Sequence, residues 1–201
     1  MPKSTKANFN KKRKPIIFLV CEGRNKTEKT YFNHFNNREA DYRLKIVNSE
    51  ATDIVSMVEK ANNIFIDNEI NKRAGEHVYC LVDLDLDSQK FQQYLKLKNK
   101  YRNVEIIVSN PCFEIWLLYY FTENPNVVSS SKRVKELLNK YVKNGEYSEN
   151  MDIISFMKLE NHNLAIDRSE KKNNKYHGEL TLDFNPYTEI HNILKQLIKI
   201  N

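Results

Sequence analysis

The run Ile16-Ile17-Phe18-Leu19-Val20 constrains the fold more than any other stretch of the chain. Its residues are all apolar, and Ile16, Ile17 and Val20 are β-branched. No alternation leaves a face for water, so the run reads as a strand covered on both sides, as in a parallel sheet between helices. Residues 22–26 are polar and contain Gly23. Thr27 can then cap a helix to about Asn37, with Glu28 in its first turn and Tyr31, Phe32 and Phe35 on one face. Arg43 to Val47 has the composition of a second strand. Ile54, Val58, Ala61 and Phe65 recur at helical spacing and predict a helix over 51–69. His77 to Val82 reads as a third strand, residues 88–100 as a helix carrying Phe91, Tyr94 and Leu95, and Val104 to Val108 as a fourth strand. Strands separated by helices imply parallel pairing.

Composition agrees. Four glycines and five prolines in 201 residues argue against a turn-rich all-β chain. Hydrophobic residues at 40% exclude a wholly disordered one. No apolar run reaches the roughly 18 residues of a membrane span, and no signal-peptide pattern is visible. Cys21, Cys80 and Cys112 form no close pair and sit among apolar residues, so they read as buried, reduced thiols of a cytoplasmic protein. The net charge is +6, and Lys3, Lys6, Lys11, Lys12, Arg13 and Lys14 contribute to it without an acid among residues 1–14. That stretch is expected to be a flexible basic tail, either solubilising or able to touch phosphates.

In the second half, Ser109-Asn110-Pro111 reads as a helix start and Phe113 to Phe121 as a buried helix. Lys132 to Val142 predicts an amphipathic helix on Val134, Leu137, Leu138 and Tyr141, residues 151–168 a less regular one, and 169–183 a loop. Pro186 is expected to open a last helix, with Ile190, Leu194 and Leu197 on one face. The expected organisation is one domain over 15–201, with a sheet core to about 121 and a helical C-terminal elaboration beyond it.

Acidic residues fall where such a sheet binds ligands. Glu22 follows the first strand; Asp83, Asp85 and Asp87 follow the third. Ligands of open α/β sheets bind at the carboxyl ends of the strands. If the first and third strands are neighbours, Glu22 and Asp83 converge, and in extended chain Asp85 points the same way as Asp83. Crowded carboxylates call for a cation, and oxygen donors without His or Cys favour Mg²⁺ or Mn²⁺ over zinc. Such a site can assist displacement at phosphorus, and Gly23 would let a phosphate backbone approach. Asp87 before Ser88 reads equally well as a helix N-cap, and Asp-x-Asp also suits an ordinary turn.

Cys21-Glu22-Gly23 with Thr27-Glu28 and Tyr31-Phe32, then Val82-Asp83-Leu84-Asp85, then Ser109-Asn110-Pro111-Cys112-Phe113-Glu114, resembles the RloB family. Asn185-Pro186-Tyr187-Thr188 with His191 extends the resemblance, which runs from about residue 16 to 197. That family resembles Toprim proteins, so the resemblance implies an α/β Toprim-like parallel sheet flanked by helices. It implies Mg²⁺ or Mn²⁺ on Glu22, Asp83 and Asp85, with Glu22 also a general acid or base. Where the family often has a further acid, Leu86 stands here, so a third acidic role is absent or passes to Asp87. The resemblance further implies a nuclease in bacterial antiphage defence, related to abortive-infection systems such as AbiL. Its partners would be nucleic acid, DNA or RNA (tRNA by analogy with the PARIS system), and an ABC-type ATPase. A non-catalytic regulatory partner of that ATPase is the alternative. A homodimer is compatible with the sequence.

Other residues carry two readings. Glu114 is costly to bury unpaired among Phe113, Ile115 and Trp116. It completes the acidic site, orients cations there, or is a first-turn carboxylate favoured by the helix dipole. Asn110 contacts the site or caps a helix. Glu28 reads first as a dipole contact, and second as a member of the site, since Thr27-Glu28 belongs to the stretch that resembles the family motif. Arg24 and Lys26 hold phosphates or are solvated. Tyr141-Val142-Lys143 resembles a family Tyr-x-Lys segment, which makes Lys143 a catalytic cation or a helix-end charge. His191 reads as a structural hydrogen-bonding residue and Trp116 as core. Lys171, Lys172 and Lys175 with Tyr176 and His177 form a solvated loop or a single-strand-binding patch.

Overall fold

The computed structural model describes residues 13–23, 27–142, 145–149, 151–153 and 156–200. Most of the basic tail, together with Arg24, Lys26 and Lys143, lies outside the described residues. The strands are β1 (Ile16–Glu22), β2 (Arg43–Ser49), β3 (His77–Asp83), β4 (Glu105–Asn110) and β5 (Tyr187–Thr188). The helices are α1 (Thr27–Asn33), α2 (Ile54–Asp67), α3 (Ser88–Lys100), α4 (Glu114–Leu118), α5 (Ser131–Leu138), α6 (His162–Asn173) and α7 (Ile190–Ile200). The sheet order is β2-β1-β3-β4-β5. The first four strands are parallel and β5 runs antiparallel to β4.

The uninterrupted apolar run of β1 is buried on both faces. Ile17, Leu19 and Cys21 join Tyr79, Leu81 and Ile107 under α1, α4 and α7. Ile16, Phe18 and Val20 join Val78, Cys80 and Val82 under Met57 and Val58 of α2 and Tyr94 and Leu97 of α3. Each fully buried side chain of this size contributes about 1.5–3 kcal/mol. The central pair carries most of them, since β1 lies between β2 and β3. The result is α/β, a mostly parallel sheet between helices, with further helices from the C-terminal part. Among the described residues no helix is long and apolar enough to cross a membrane.

Four local expectations are corrected. Ser109-Asn110 is strand, not helix start: both pair with β5, and a residue before proline avoids the helical region. Among the described residues of 151–168 the α-helix begins at His162, directly after a 3-10 turn at Leu159–Asn161, and the loop expected over 169–183 begins with helix to Asn173. Tertiary bonds extend it: Arg168 donates to the Tyr119 and Tyr120 carbonyls at 2.9 and 3.1 Å, and buried Ser169 meets His191 Nδ1 at 3.2 Å. Pro186 opens β5 rather than a helix, and α7 starts at Ile190, whose N–H donates to Thr188 Oγ1 at 3.3 Å. Finally α1 stops at Asn33, short of Asn37, while Phe35 still packs on the core.

Gly23 has a reason in the fold itself. A Cβ there would lie 1.8 Å from the Ser49 carbonyl oxygen, so the loop after β1 passes directly against the end of β2. The close approach expected of a phosphate is made by the chain's own backbone. Gly23→Ala is expected to lose about 1–3 kcal/mol of stability, the range for overpacking a tight contact. Chemical denaturation checks this, and an unchanged midpoint would mean that the loop relaxes freely.

Candidate functional site

After β1 the chain crosses to β2 on one side; the next strand, β3, pairs with β1 on the other. This reversal opens a crevice beyond the carboxyl ends of β1 and β3, the usual ligand position in open α/β sheets. Glu22 ends β1 and Asp83 ends β3, and these strands are neighbours. Glu22, Glu28, Asp83, Met57 and Lys90 line a shallow depression there. Glu28 arrives from the first turn of α1 and is 3% exposed.

Asp85 reaches the same edge by a different route from the one its spacing suggests. The strand ends at Asp83; Leu84 N–H then donates to Ser109 O at 2.9 Å and Asp85 N–H to Pro111 O at 2.8 Å. Asp85 and Leu86 have φ of 52° and 58°, the left-handed region, which costs a bulky L-residue roughly 1–2 kcal/mol. Asn110 helps hold this turn. Its Oδ1 accepts from Leu86 N–H at 3.2 Å, and its amide nitrogen donates to Leu182 O and Phe184 O at 2.9 Å each. Asn110 therefore neither caps a helix nor faces the acids; it positions the turn that carries Asp85. The Asp85 carboxylate accepts from Lys90 Nζ at 2.5 Å and from Ser131 Oγ at 2.5 Å. Asp87 is the N-cap of α3, accepting from Gln89 and Lys90 N–H at 2.7 and 3.0 Å, and these bonds lower its pKa.

Glu114 lies deeper, 1% exposed, in the first turn of the five-residue α4. Tyr147 donates its hydroxyl proton to Glu114 Oε1 at 3.1 Å. Its one proton being used, the 3.0 Å contact between Tyr147 and Thr27 has Thr27 as donor. Glu114 Oε2 is buried with no hydrogen-bond partner among the described residues. Lys135 of α5 supplies the nearby cation. Burial works against its charge, but Glu114 and Glu149 outweigh it and raise its pKa, and Lys135 is paired directly with Glu149.

The carboxylates disturb one another. Burial and then Glu114 and Glu22 push Glu28 up to about 8. Asp83 is raised well above the usual carboxylate range by burial, then by Glu28, Glu114 and Asp85, with Lys90 opposing. Cys21 and Cys112 prove to be close neighbours of this cluster. Burial first, and then the acids, raise both thiols, so they stay protonated and are poor soft-metal ligands. The donors that remain are oxygens, which suits a hard divalent ion. They are not assembled around one point: among the described residues no three His, Cys, Asp or Glu side chains are set to hold a metal together.

Spacing alone did not find Lys90, Ser131, Lys135 or Tyr147, and it undervalued Glu28. Of these only Glu28 had a signal, the Thr27-Glu28 pair within the stretch that resembles the family. Other residues fall away from the edge. His191 bonds Ser169, and its pKa is pushed down to about 4 by burial. Trp116 is fully buried core. Tyr176 stacks on Phe184 at 4.5 Å and donates to Pro186 O at 3.1 Å, so that ring is already engaged within the fold.

Fold and edge together define an α/β chain with buried carboxylates at the switch point of a mostly parallel sheet. A sequence model of the family described as RloB-like protein matches residues 17–197, and the chain belongs to that family. No curated protein and no solved structure matches it.

The raised pKa of Glu28 has a definite sign. Unfolded, this carboxyl ionises near 4.5; folded, near 8. Its contribution to stability is complete below the lower value and is lost as pH rises to the upper one. Glu28→Gln is therefore expected to match the wild type near the lower limit and exceed it by roughly 4 kcal/mol at the upper. Thermal melts across that window check the difference; a constant offset would show that Glu28 titrates normally.

Proposed function

We propose that this chain is a Mg²⁺- or Mn²⁺-dependent phosphodiesterase of Toprim type that cleaves nucleic acid as an effector of bacterial antiphage defence. The observation supporting this most directly is that Glu22 and Asp83 line one depression at the ends of neighbouring strands, backed by buried Glu28 and Glu114. Glu22, Asp83 and Asp85 would hold the ion once Asp85 is released from Lys90 and Ser131, since at rest the three are not gathered around one point. When bound, a divalent ion supplies positive charge to a phosphoryl oxygen and acidifies a water.

The chain's own groups do the rest. Glu22, at the half-buried end of β1, is the general acid or base with access to a substrate. Glu28 holds a proton near neutral pH and so limits the negative charge behind Asp83. Lys90 and Lys135 offset the remaining carboxylates from the α3 and α5 sides.

The ties from Asp85 to Lys90 and Ser131 favour a latent resting state. Freeing Asp85 requires α5 to let go of it, a change that an ABC-type ATPase partner could drive. The same ties also fit the second reading, a non-catalytic regulatory partner of such an ATPase.

Purified protein is incubated with total tRNA and with plasmid in Mg²⁺, Mn²⁺ or EDTA. Metal-dependent cutting is expected, falling roughly 10²–10⁴-fold in Glu22→Gln. Asp83→Asn is expected to remove the rise in melting temperature that the metal gives the wild type. Absence of cutting with every polymer, with the ATPase present, would replace the nuclease with the regulatory reading.

A further inference from the structure

A second concavity lies on another face of α5. It has a volume of about 440 Å³, within the usual range for a small-ligand site. The segment 122–129 forms one wall; α5 and Tyr141 form the other. The charged side chains lining it are Arg133 and Lys140, both cationic. Arg133 also meets Glu136 at 2.9 Å, a pair exposed enough to be weak. Asn124 and Asn126 add amides to the rim, and Lys172 Nζ, donating to Asn124 Oδ1 at 3.0 Å, brings a third cation beside it.

The aromatic component is pre-positioned. Tyr141 is stacked on Phe121 with ring centres 4.2 Å apart and planes 9° from parallel, and Phe121 continues onto Phe156 at 6.1 Å. Tyr141 therefore lines the concavity with its ring held against Phe121, and has little rotamer freedom left to lose on binding. Cations, amides and a rigid aromatic ring in one groove match a nucleotide: phosphate on the cations, base against the ring. An acidic peptide would use only the cations.

We infer that this groove binds a nucleotide unit, with phosphate on Arg133 and Lys140 and the base against Tyr141. The ligand is a free nucleotide or one residue of a single strand; the chemistry is shared. The groove is separate from the acidic edge, and occupancy does not require that edge to cleave anything. The two are joined by α5, because Ser131 and Lys135 face the acids while Arg133 and Leu137 face the groove. A ligand gripping Arg133 therefore pulls on the helix that restrains Asp85.

The test is fluorescence anisotropy of the full chain with a labelled single-stranded oligonucleotide of about 12 residues, a usual site size. EDTA is present throughout, so that binding is read apart from cleavage. Tyr141→Leu is expected to weaken binding roughly 5- to 100-fold, and Tyr141→Phe to retain it. Arg133→Ala with Lys140→Ala is expected to reduce the salt slope by about 1.4, two phosphate contacts' worth. Lys96→Ala, an exposed cation on α3, controls for lost charge. Displacement by ATP would make the ligand a free nucleotide; resistance to ATP would make it a strand. If Tyr141→Leu disturbs folding by unstacking Phe121, the exposed cation pair decides alone. Variants that bind as tightly as Lys96→Ala, or a wild type that takes neither oligonucleotide nor ATP, would overturn the inference.

Discussion

Carboxyl groups held against a dry sheet core are the constraint around which this molecule is arranged. Glu28 and Glu114 are almost fully removed from water, and Asp83 sits where β3 leaves the core. Burial makes Glu28 and Asp83 expensive to ionise, and the neighbouring acids make them more so. The surrounding structure answers with Lys90 from α3, Lys135 from α5 and the Tyr147 hydroxyl. These partners come from chain segments far apart in sequence, so the acidic edge ties the sheet to its helical elaboration. Buried charge of this kind is weak evidence for stability and better evidence for a task.

The same arrangement gives α5 a double role. One part of its surface restrains Asp85 and neutralises Glu114; another walls the groove at Arg133 and Leu137. An eight-residue helix is not stable by itself, so α5 depends on its packing, with Val134 and Leu138 buried in the core. The left-handed turn at Asp85 and Leu86 is the matching element across the crevice. Its backbone cost is borne by Asn110, Ser109 and Pro111, whose polar groups hold the turn to the end of β4.

The sheet was readable in advance because its strands are apolar on both faces. That is why β1 and β3 stood out, and why their acidic ends could be placed at one edge. Period-two spacing gave the right neighbour for Asp83 by the wrong reason in Asp85, since the chain has left the strand by then. The errors over residues 109–111, 151–173 and 186 share another cause. At each, a distant partner decides the conformation: β5 for Ser109 and Asn110, the Tyr119–Tyr120 carbonyls and His191 for α6, β4 for Tyr187 and Thr188. Local propensity carries no trace of such partners.

Taken alone, the sequence determined the α/β class, the parallel central strands and the placing of Glu22 and Asp83 at strand ends, because burial pattern and side-chain alternation are local. Its Cys-Glu-Gly, Asp-x-Asp and Ser-Asn-Pro-Cys-Phe-Glu stretches also sufficed to indicate the family. Only the tertiary structure decided that Glu28 and Glu114 stand beside Asp83, that Lys90 and Ser131 hold Asp85, and that Gly23 passes against Ser49. Those relations are distances between segments brought together by folding. Electrostatics and steric contact depend on such distances in space, whatever the separation along the chain.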